Sequence, residues 1–546
     1  MLVSKIKKLL LALLIVIPAV NSPKDCCSAE SDGCTDVISK NLWQPHAFSD
    51  YASREILILQ GLNLDTIGGK KWINRIGFAT EYMQSFGNNC QGLGAMPFWS
   101  GTNSMTIGNN DGTADLDAYQ FGMGNVKTPG VITLSPKVQH VGTEFLWYVM
   151  QNEDKPGAYF KVIVPIGAMR VTSNVCEKGA VLENERVEPP YPKIPLRFQT
   201  VTEAFYGGMF SQDPLYLYGK IGCEAETTIR LGDIGAVVGA NFIAKKNGHF
   251  GIGLRTSCPT GNVPKAIYML EPIFGRAGHW GLGAEISAHY SRSSMYAYDS
   301  SWTVWLQAEV MHLFAGRQPS WRSFDLKANG PGSKYLLLQR YAWDPTGSYF
   351  VQRGLHPAIN ITTLPVKSTF GVEGNCAVLL DYTKQKWNVS LGAEAWGRSR
   401  EHLCINNCRA LQDRNQDILN NNLNDYAVVG RQLAITGGSA PFYCEPLARI
   451  NKSVPFQSGV NNYPEQVKNA ALPENRIPKS YNEALDISGA SAAGIVTGKV
   501  LGEVGYTWSE NNYIPHVSVF AGAEFASESS HTVNLWSVGL QSSLQF

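Results

Sequence analysis

The sequence predicts an all-β fold, a transmembrane antiparallel up-and-down β-barrel of about 14 strands (range roughly 12 to 16) with long extracellular loops. Three observations predict it. The chain begins with an export signal, apolar and polar residues alternate along many segments, and the last strand ends on an aromatic residue. No later stretch reaches the roughly 18 consecutive apolar residues of a spanning helix, so helical membrane crossing is not expected.

The first 22 residues have the order of a secretory signal peptide. Basic residues between Lys5 and Lys8 precede an apolar run from Leu9 to Val20, and small and polar residues follow. That run is shorter than the roughly 20 residues a spanning helix needs. We therefore expect residues 1–22 to be removed after export.

Two further regions follow the signal. Residues 23–68 form an N-terminal periplasmic or plug-like segment in our prediction, and residues 69–546 form the barrel. Long loop insertions are expected at about 315–369 and 400–495, because alternation stops there while the chain continues.

Composition favours one large β body. Charged residues make up 17% of the chain, against a typical ~25%, while the chain holds 53 Gly, 13 Trp and 23 Tyr. Few charges and many aromatic residues are typical of strands that face lipid. Lys and Arg total 46 against 45 Asp and Glu, so no basic surface for nucleic acid is indicated.

Several pairs of alternating segments predict hairpins. The segment 370–382 places Phe370 and Val372 on the outward row, and a polar turn at 383–386 leads into 387–395. A second hairpin is expected at 234–254 around Asn247-Gly248, because this dipeptide favours a tight turn. Other predicted strands span 72–86, 117–124, 131–150 (bent), 158–165, 280–290, 302–314, 500–508 and 517–525.

The last fourteen residues, 533–546, alternate between an apolar and a polar face. They resemble the terminal targeting strand of bacterial outer-membrane β-barrel (porin-like) proteins, through Gly539, Leu544 and Phe546, although Ser542 stands where an apolar residue is usual. The resemblance implies that these three residues form an assembly signal. It also implies residence in the cell outer membrane of a diderm bacterium, with outer-membrane lipid and the barrel-assembly machinery as partners.

The lengths of the connections orient the chain. A periplasmic C-terminus makes the 383–386 turn periplasmic as well, and both long insertions then lie outside the cell. The second insertion contains Cys404, Cys408 and Cys444, which are disulfide candidates. A metal site with His402 is disfavoured, because no second pair of ligands follows in the sequence.

Alternation also predicts which charged residues line the lumen. Acidic residues outnumber basic ones there, which favours a mildly cation-preferring pore for small solutes. In the alternative, these carboxylates pair with Lys and Arg and the lumen is closed. The predicted pore-lining residues are Glu81, Asp233, Arg255, Glu285, Glu309, Glu373, Glu394, Arg398, Lys499, Glu503 and Glu524.

Enzymatic motifs are absent from the sequence. The segment around Ser491 lacks the final glycine of a nucleophile elbow, so neither an enzyme nor a cofactor is expected. The leading hypothesis is a passive channel, and a homo-oligomer is compatible with it. The alternatives are a surface structural or adhesion barrel with a closed lumen, and a channel for hydrophobic compounds. The segments 251–255 and 162–167 are similar to strand ends of channels for hydrophobic compounds.

Overall fold

The protein is described by a computed structural model, in which all described residues belong to the compact unit Thr35–Phe546. The structure describes residues 45–48, 51–60, 72–87, 103–108, 114–123, 126–151, 157–182, 200–210, 213–214, 216–245, 247–293, 300–315, 320–327, 331–343, 349–405, 426–428, 485–508, 513–527 and 532–546.

Within these residues, twelve antiparallel strands close into a ring. Each strand pairs with the next along the chain, and the last pairs with the first, with Arg75 opposite Gln545. The ring strands are β1 (Trp72–Ser85), β2 (Lys137–Gln151), β3 (Gly157–Thr172), β4 (Ile234–Lys245), β5 (Gly248–Cys258), β6 (Trp280–Ser293), β7 (Ser300–Phe314), β8 (Thr363–Lys384), β9 (Trp387–Arg398), β10 (Ile495–Thr507), β11 (Ile514–Ala526) and β12 (Leu535–Gln545).

The all-β barrel is confirmed, and the strand number lies at the lower end of the predicted range. Our choice of 14 exceeds the twelve ring strands described here, because some alternating segments pair beyond the ring. The strands Glu226–Leu231, Ser320–Ser323 and Glu401–Ile405 extend the ladders of β3 and β8 on the side of the long loops.

The remaining elements lie outside the ring, except the helix α1 (Ala52–Leu59). On the long-loop side an apolar cluster includes Ile107, Phe121, Phe205, Tyr335 and Ile359. None of the helices in the described ranges is long and apolar enough to cross a membrane. The elements outside the ring are the strands Ser104–Gly108, Leu116–Asp117, Val126–Leu134, Val175–Leu182, Met209–Phe210, Asp213–Pro214, Leu337–Trp343, Tyr349–Pro357 and Tyr426–Val428, and the helices Ala118–Phe121, Val201–Phe205, Ala358–Thr362 and, as a 3-10 turn, Ser333–Tyr335.

Two predicted strands differ from the structure. The segment 117–124 is helical from Ala118 to Phe121, and only Asp117 belongs to a strand. The segment 131–150 is divided at Ser135 and Pro136, so its first part belongs to a separate four-stranded sheet and its second part forms β2. Proline has no N–H group for a sheet ladder, which explains the interruption.

A bulge reverses the alternation in β8. The pairing with β7 shifts so that Met311 lies opposite Glu373 and Leu313 lies opposite Phe370. Glu373 and Phe370 are consequently both buried and inward, although they are three residues apart. The predicted place of Phe370 on the outward row with Val372 is therefore wrong.

A second irregularity lies between β3 and β4. Pairing runs up to Ile163, opposite Gly235, and resumes at Ile166, opposite Leu231. Pro165 lies between them, and its carbonyl accepts a hydrogen bond from the Gly232 N–H at 2.7 Å. This offset precedes Asp233, whose side chain is buried.

The two faces of the ring differ in chemistry. The outward row is largely apolar and exposed, as at Leu391 (69%) and Val238 (61%). The carboxylates of the ring strands are all buried on the inward row. Water-excluding lipid outside and a polar interior are the two environments that such strands require.

Candidate functional site

The described part of the N-terminal segment, residues 45–48 and 51–60, lies inside the ring. All 8 residues of α1 are buried, and the helix contacts β1, β7, β8, β9 and β12. Gly77 of β1 makes room for it, because a Cβ atom there would lie 2.4 Å from Ile58. A helix this short has only marginal stability by itself in water. Contacts with the barrel wall therefore hold it in place.

Arg54 joins this helix to two wall carboxylates. Its guanidinium donates to Glu81 at 3.1 Å and to Glu144 at 3.0 Å. Lys499 donates to the other oxygen of Glu81 at 2.9 Å. Burial opposes the charge of Arg54, but Glu81 and Glu144 outweigh burial and raise the pKa of Arg54 further above its usual range.

Glu55, the next residue, faces the part of the wall formed by β3 and β5. It accepts a hydrogen bond from Arg255 at 2.8 Å and pairs with Lys161. The same two cations hold Glu285, at 2.7 Å from Lys161 and 3.0 Å from Arg255, and Arg255 also pairs with Glu309 at 2.6 Å. Burial raises the pKa of Glu55, yet Arg255 and Lys161 prevail and lower it to about 2.

Further contacts fix the start of the helix. Glu524 accepts hydrogen bonds from His46 at 2.9 Å and from the Tyr51 hydroxyl at 2.6 Å. Burial and then Glu524 raise the pKa of Tyr51 well above its usual value, so the hydroxyl stays a donor. Glu394 accepts from the Ala52 N–H at 2.9 Å, which satisfies a donor of the first turn.

The C-terminal end of α1 is held by a hydrogen-bond donor of the wall, whereas its start is held by acceptors. Arg75 donates to the Ile58 carbonyl at 2.6 Å and to Ser543 at 2.7 Å. Gln60 donates to Ser390 at 2.8 Å. A cation at the C-terminal carbonyls of a helix is stabilising, so both ends of α1 have matched partners.

A loop enters the ring from the other side. It spans residues 259–279, between β5 and β6, and we call it the inward loop. Asp233 accepts the N–H groups of Gly261 at 3.0 Å and Arg276 at 2.5 Å, so one carboxylate holds both parts of the loop. Arg276 in turn pairs with Glu373 at 2.5 Å. Burial raises the pKa of Asp233.

The N-terminal segment and the inward loop meet inside the barrel. The rings of Phe48 and Phe274 stack with centroids 5.6 Å apart. The ring centroids of His140 and Phe48 are 6.4 Å apart. The two buried ring nitrogens of His140 have no hydrogen-bond partner among the described residues. The surrounding apolar cluster, which we call the mouth cluster, consists of Phe48, Tyr51, Met83, Val138, Met169, Val171, Leu270, Phe274, Val533 and Leu535.

The structure places all of the predicted pore-lining residues in buried positions. One group contacts the N-terminal segment directly: Glu81, Arg255, Glu394 and Glu524. A second group supports the first through ion pairs: Glu285, Glu309 and Lys499. A third group holds the inward loop: Asp233 and Glu373.

Two predicted residues remain, Glu503 and Arg398. Glu503 faces His516, with 3.6 Å between the carboxylate and the imidazole. The guanidinium of Arg398 lies 4.3 Å from the centre of the Phe370 ring, a cation–π distance. Both side chains are buried within the ring, and Arg398 lies opposite Glu373 in the ladder between β8 and β9.

Sequence reasoning missed several central residues. Glu144 and Lys161 lie on the inward rows of β2 and β3, and the alternation of those segments was sufficient to find them. Arg54, Glu55 and Arg276 lie outside the ring strands, where no two-residue period signals an inward side chain. Their partners are distant in sequence, so only the closed ring brings them together.

The terminal strand has a clear structural role in the ring. Phe546 exchanges backbone hydrogen bonds with Asn74 at 2.9 and 3.1 Å, and Leu544 faces outward. Gly539 makes room for Phe520, since a Cβ atom there would lie 2.2 Å from that ring. Their role as an assembly signal stays a prediction.

Other predictions concern residues outside the described ranges. These are the signal at 1–22, most of the 400–495 insertion, and Cys408 and Cys444. Cys404 lies in the strand Glu401–Ile405. Disulfide formation among the three cysteines therefore stays a prediction.

Comparison with solved structures gives similarity to outer-membrane barrels. No family model matches the sequence, and no curated protein matches it. An outer-membrane channel from Pseudomonas putida F1 matches 87% of this chain and 95% of its own, with 9% identity and a TM-score of 0.34. A Pseudomonas aeruginosa FadL homologue matches 87% and 90%, with 9% identity and a TM-score of 0.25. The Ralstonia pickettii toluene transporter TbuX matches 86% and 88%, with 6% identity and a TM-score of 0.25.

At TM-scores this low, these matches add nothing to the fold described above. The chain's own strands carry the class: a closed antiparallel ring with an apolar outward row and a charged inward row. The predicted fold of this class, a closed antiparallel β-barrel with an apolar outer face, is confirmed at this level.

Proposed function

We propose that the protein is a passive channel of the outer membrane of a diderm bacterium, closed in the described state by its N-terminal segment and inward loop. The closed ring supports the membrane location, because its outward row leaves large apolar side chains exposed around the barrel. The observation that carries this proposal is that the short helix α1 lies in the lumen and is held there by ion pairs. Such a plug closes a passage, and in this proposal it leaves the lumen while the ring stays folded.

The balance of charge in the lumen argues against a permanently open cation pore. Cation preference requires carboxylates that face water in the passage. Here Glu81 is held by Arg54 and Lys499, while Glu285 is held by Lys161 and Arg255. Weak cation preference is expected only after the N-terminal segment leaves.

The mouth cluster favours solutes of hydrophobic character. Phe274 and Leu270 are buried in this cluster, and they would line the passage on the long-loop side once the inward loop and the N-terminal segment separate. Apolar and aromatic linings with few polar groups are typical of sites for hydrophobic ligands. We therefore place small hydrophobic or amphipathic compounds ahead of sugars and ions as the transported class.

Uptake by reconstituted liposomes tests the function. The protein is compared with Glu55→Gln, which loosens the plug, and with the matched exposed control Glu224→Gln. We expect an aromatic hydrocarbon to enter faster than a sugar of similar size, and Glu55→Gln to raise entry several-fold over the control. Sugar entry at the hydrocarbon's rate would instead support a general porin.

A structural or adhesion barrel is the second candidate, and the filled lumen favours it. In that case uptake and single-channel conductance stay at the level of empty liposomes in both Glu55→Gln and the unchanged protein. That result, with ring integrity shown by heat-modifiable migration, overturns the channel.

A further inference from the structure

Charged side chains on the outward face of the ring lie only near strand ends. Between them, the outward rows are largely apolar. Because every ring carboxylate is inward, these outward cations have no ring carboxylate on their own face. They are Lys137, Arg170, Lys245, Arg292, Lys367 and Lys384.

Two of these cations are neighbours at the long-loop end. In the ladder between β2 and β3, Lys137 lies opposite Thr172, and Gln139 lies opposite Arg170. Lys137 and Arg170 are thus diagonal neighbours on one face, a separation that long side chains bridge. Their inward-facing neighbours Val138 and Met169 are fully buried, which confirms that both cations point outward.

The height of the pair matches a membrane boundary. On β3 the outward row from Ala158 to Ala168 is apolar, and Arg170 is the next outward residue. Ten residue steps of about 3.3 Å, tilted by about 40°, rise about 25 Å, which is the height of the apolar band of a barrel. On β2, Val141 ends the same band and Lys137 lies beyond it.

Neutral hydrogen-bonding groups continue this level onto β1. Gln139 donates to the Tyr82 hydroxyl at 2.7 Å and to Gln84 at 3.2 Å, and Tyr82 donates to Gln84 at 2.7 Å. Trp536 of β12 lies beside Tyr82, with ring centroids 5.6 Å apart. Amphipathic rings of this kind are enriched at the boundary between lipid and water.

We propose that Lys137 and Arg170, with Gln84 and Gln139 beside them, bind the phosphorylated headgroup of an outer-leaflet glycolipid. The planar guanidinium of Arg170 suits a phosphate in a two-pronged hydrogen bond, and Lys137 adds a compact charge. The amide groups are suited to sugar hydroxyls, while Val141 and Ile166 contact the acyl chains. The site rests on the membrane orientation proposed above and is independent of transport.

Native mass spectrometry of the full chain tests the site, with bisphosphorylated lipid A as the probe. Lys137→Gln/Arg170→Gln is compared with Lys245→Gln/Arg292→Gln, a matched pair of exposed outward cations at the short-turn end. We expect the first variant to retain at least tenfold less lipid A and the control to retain the same amount as the unchanged protein. Lys137→Arg/Arg170→Lys is expected to restore most of the retention.

Three results with lipid A as the probe overturn the site: equal retention by the first variant, equal loss in the control, or competition by millimolar inorganic phosphate as strong as by lipid A. The unchanged protein is expected to retain dephosphorylated lipid A as weakly as the first variant retains lipid A. If it retains both lipids equally, the site is also overturned. Solute uptake is measured on the same variants. Retained lipid A without uptake supports this site while it contradicts the channel, so the two proposals fail separately.

Discussion

Phe48 and Phe274 stack inside the barrel, although one belongs to the N-terminal segment and the other to the loop between β5 and β6. Two pieces of chain from different parts of the sequence therefore enter the lumen and meet ring to ring. Each piece has its own charged anchor, Arg54 with Glu55 for the first and Asp233 for the second. Either anchor is accessible to mutation without a change in the ring strands.

Arg54→Met is expected to loosen α1 while the ring stays folded. Glu144 then loses its cation, while Glu81 keeps Lys499. Removing one partner of a buried ion pair costs about 3–5 kcal/mol, enough to unseat a short helix. Hydrogen exchange of the α1 amides measures the change, and exposed Arg230→Met is the control. Unchanged protection of α1 would contradict the proposed anchor.

Acid is expected to weaken the plug within a defined pH range. The pKa of Glu55 is lowered to about 2 in the folded protein, against about 4.3 in an unfolded chain. Because the folded pKa is the lower one, the contribution of Glu55 is complete above the unfolded pKa and is lost as the pH falls from about 4.5 to 2. The difference in single-channel conductance between the unchanged protein and Glu55→Gln should be constant from pH 7 to 5 and shrink below that range. A difference that already shrinks between pH 7 and 5 would sink this prediction.

Asp233→Ala is expected to release the inward loop. Two buried N–H groups, of Gly261 and Arg276, lose their acceptor, at about 1–3 kcal/mol each. Limited proteolysis should then cut within 259–279 at least several-fold faster. Asp233→Asn keeps an acceptor oxygen and should give an intermediate rate. Equal rates for all three proteins would show that Asp233 does not hold the loop.

Gly539→Ala is expected to impair the terminal strand. The added Cβ atom meets the Phe520 ring at 2.2 Å, and overpacking of this kind costs about 1–3 kcal/mol. Gly498→Ala is the control, since its nearest neighbour is the Glu394 carbonyl at 4.0 Å. The folded fraction on heat-modifiable gels should fall for the first variant alone, and Phe520→Leu should restore part of it. Equal fractions for both glycine variants would remove the steric explanation.

Periodicity predicted the ring well because each strand alternates between apolar outward residues and polar inward residues within its own sequence. The outward rows around Leu391 and Leu540 and the inward row with Glu394 follow from a two-residue period alone. The plug is different, because Arg54 pairs with Glu144 across 90 residues and Glu55 with Arg255 across 200. No local pattern encodes such pairs. The bulge that turns Phe370 inward is likewise invisible, since one extra residue changes the face without any change in composition.

The seam between β1 and β12 joins Ile76 to Leu544, at opposite ends of the chain, while α1 lies immediately before β1 in sequence. The ring therefore cannot become continuous until its last strand has been made. Arg75 of β1 binds both the Ile58 carbonyl of α1 and the Ser543 hydroxyl of β12. One side chain thus links the helix, the first strand and the last strand at the point where the barrel closes.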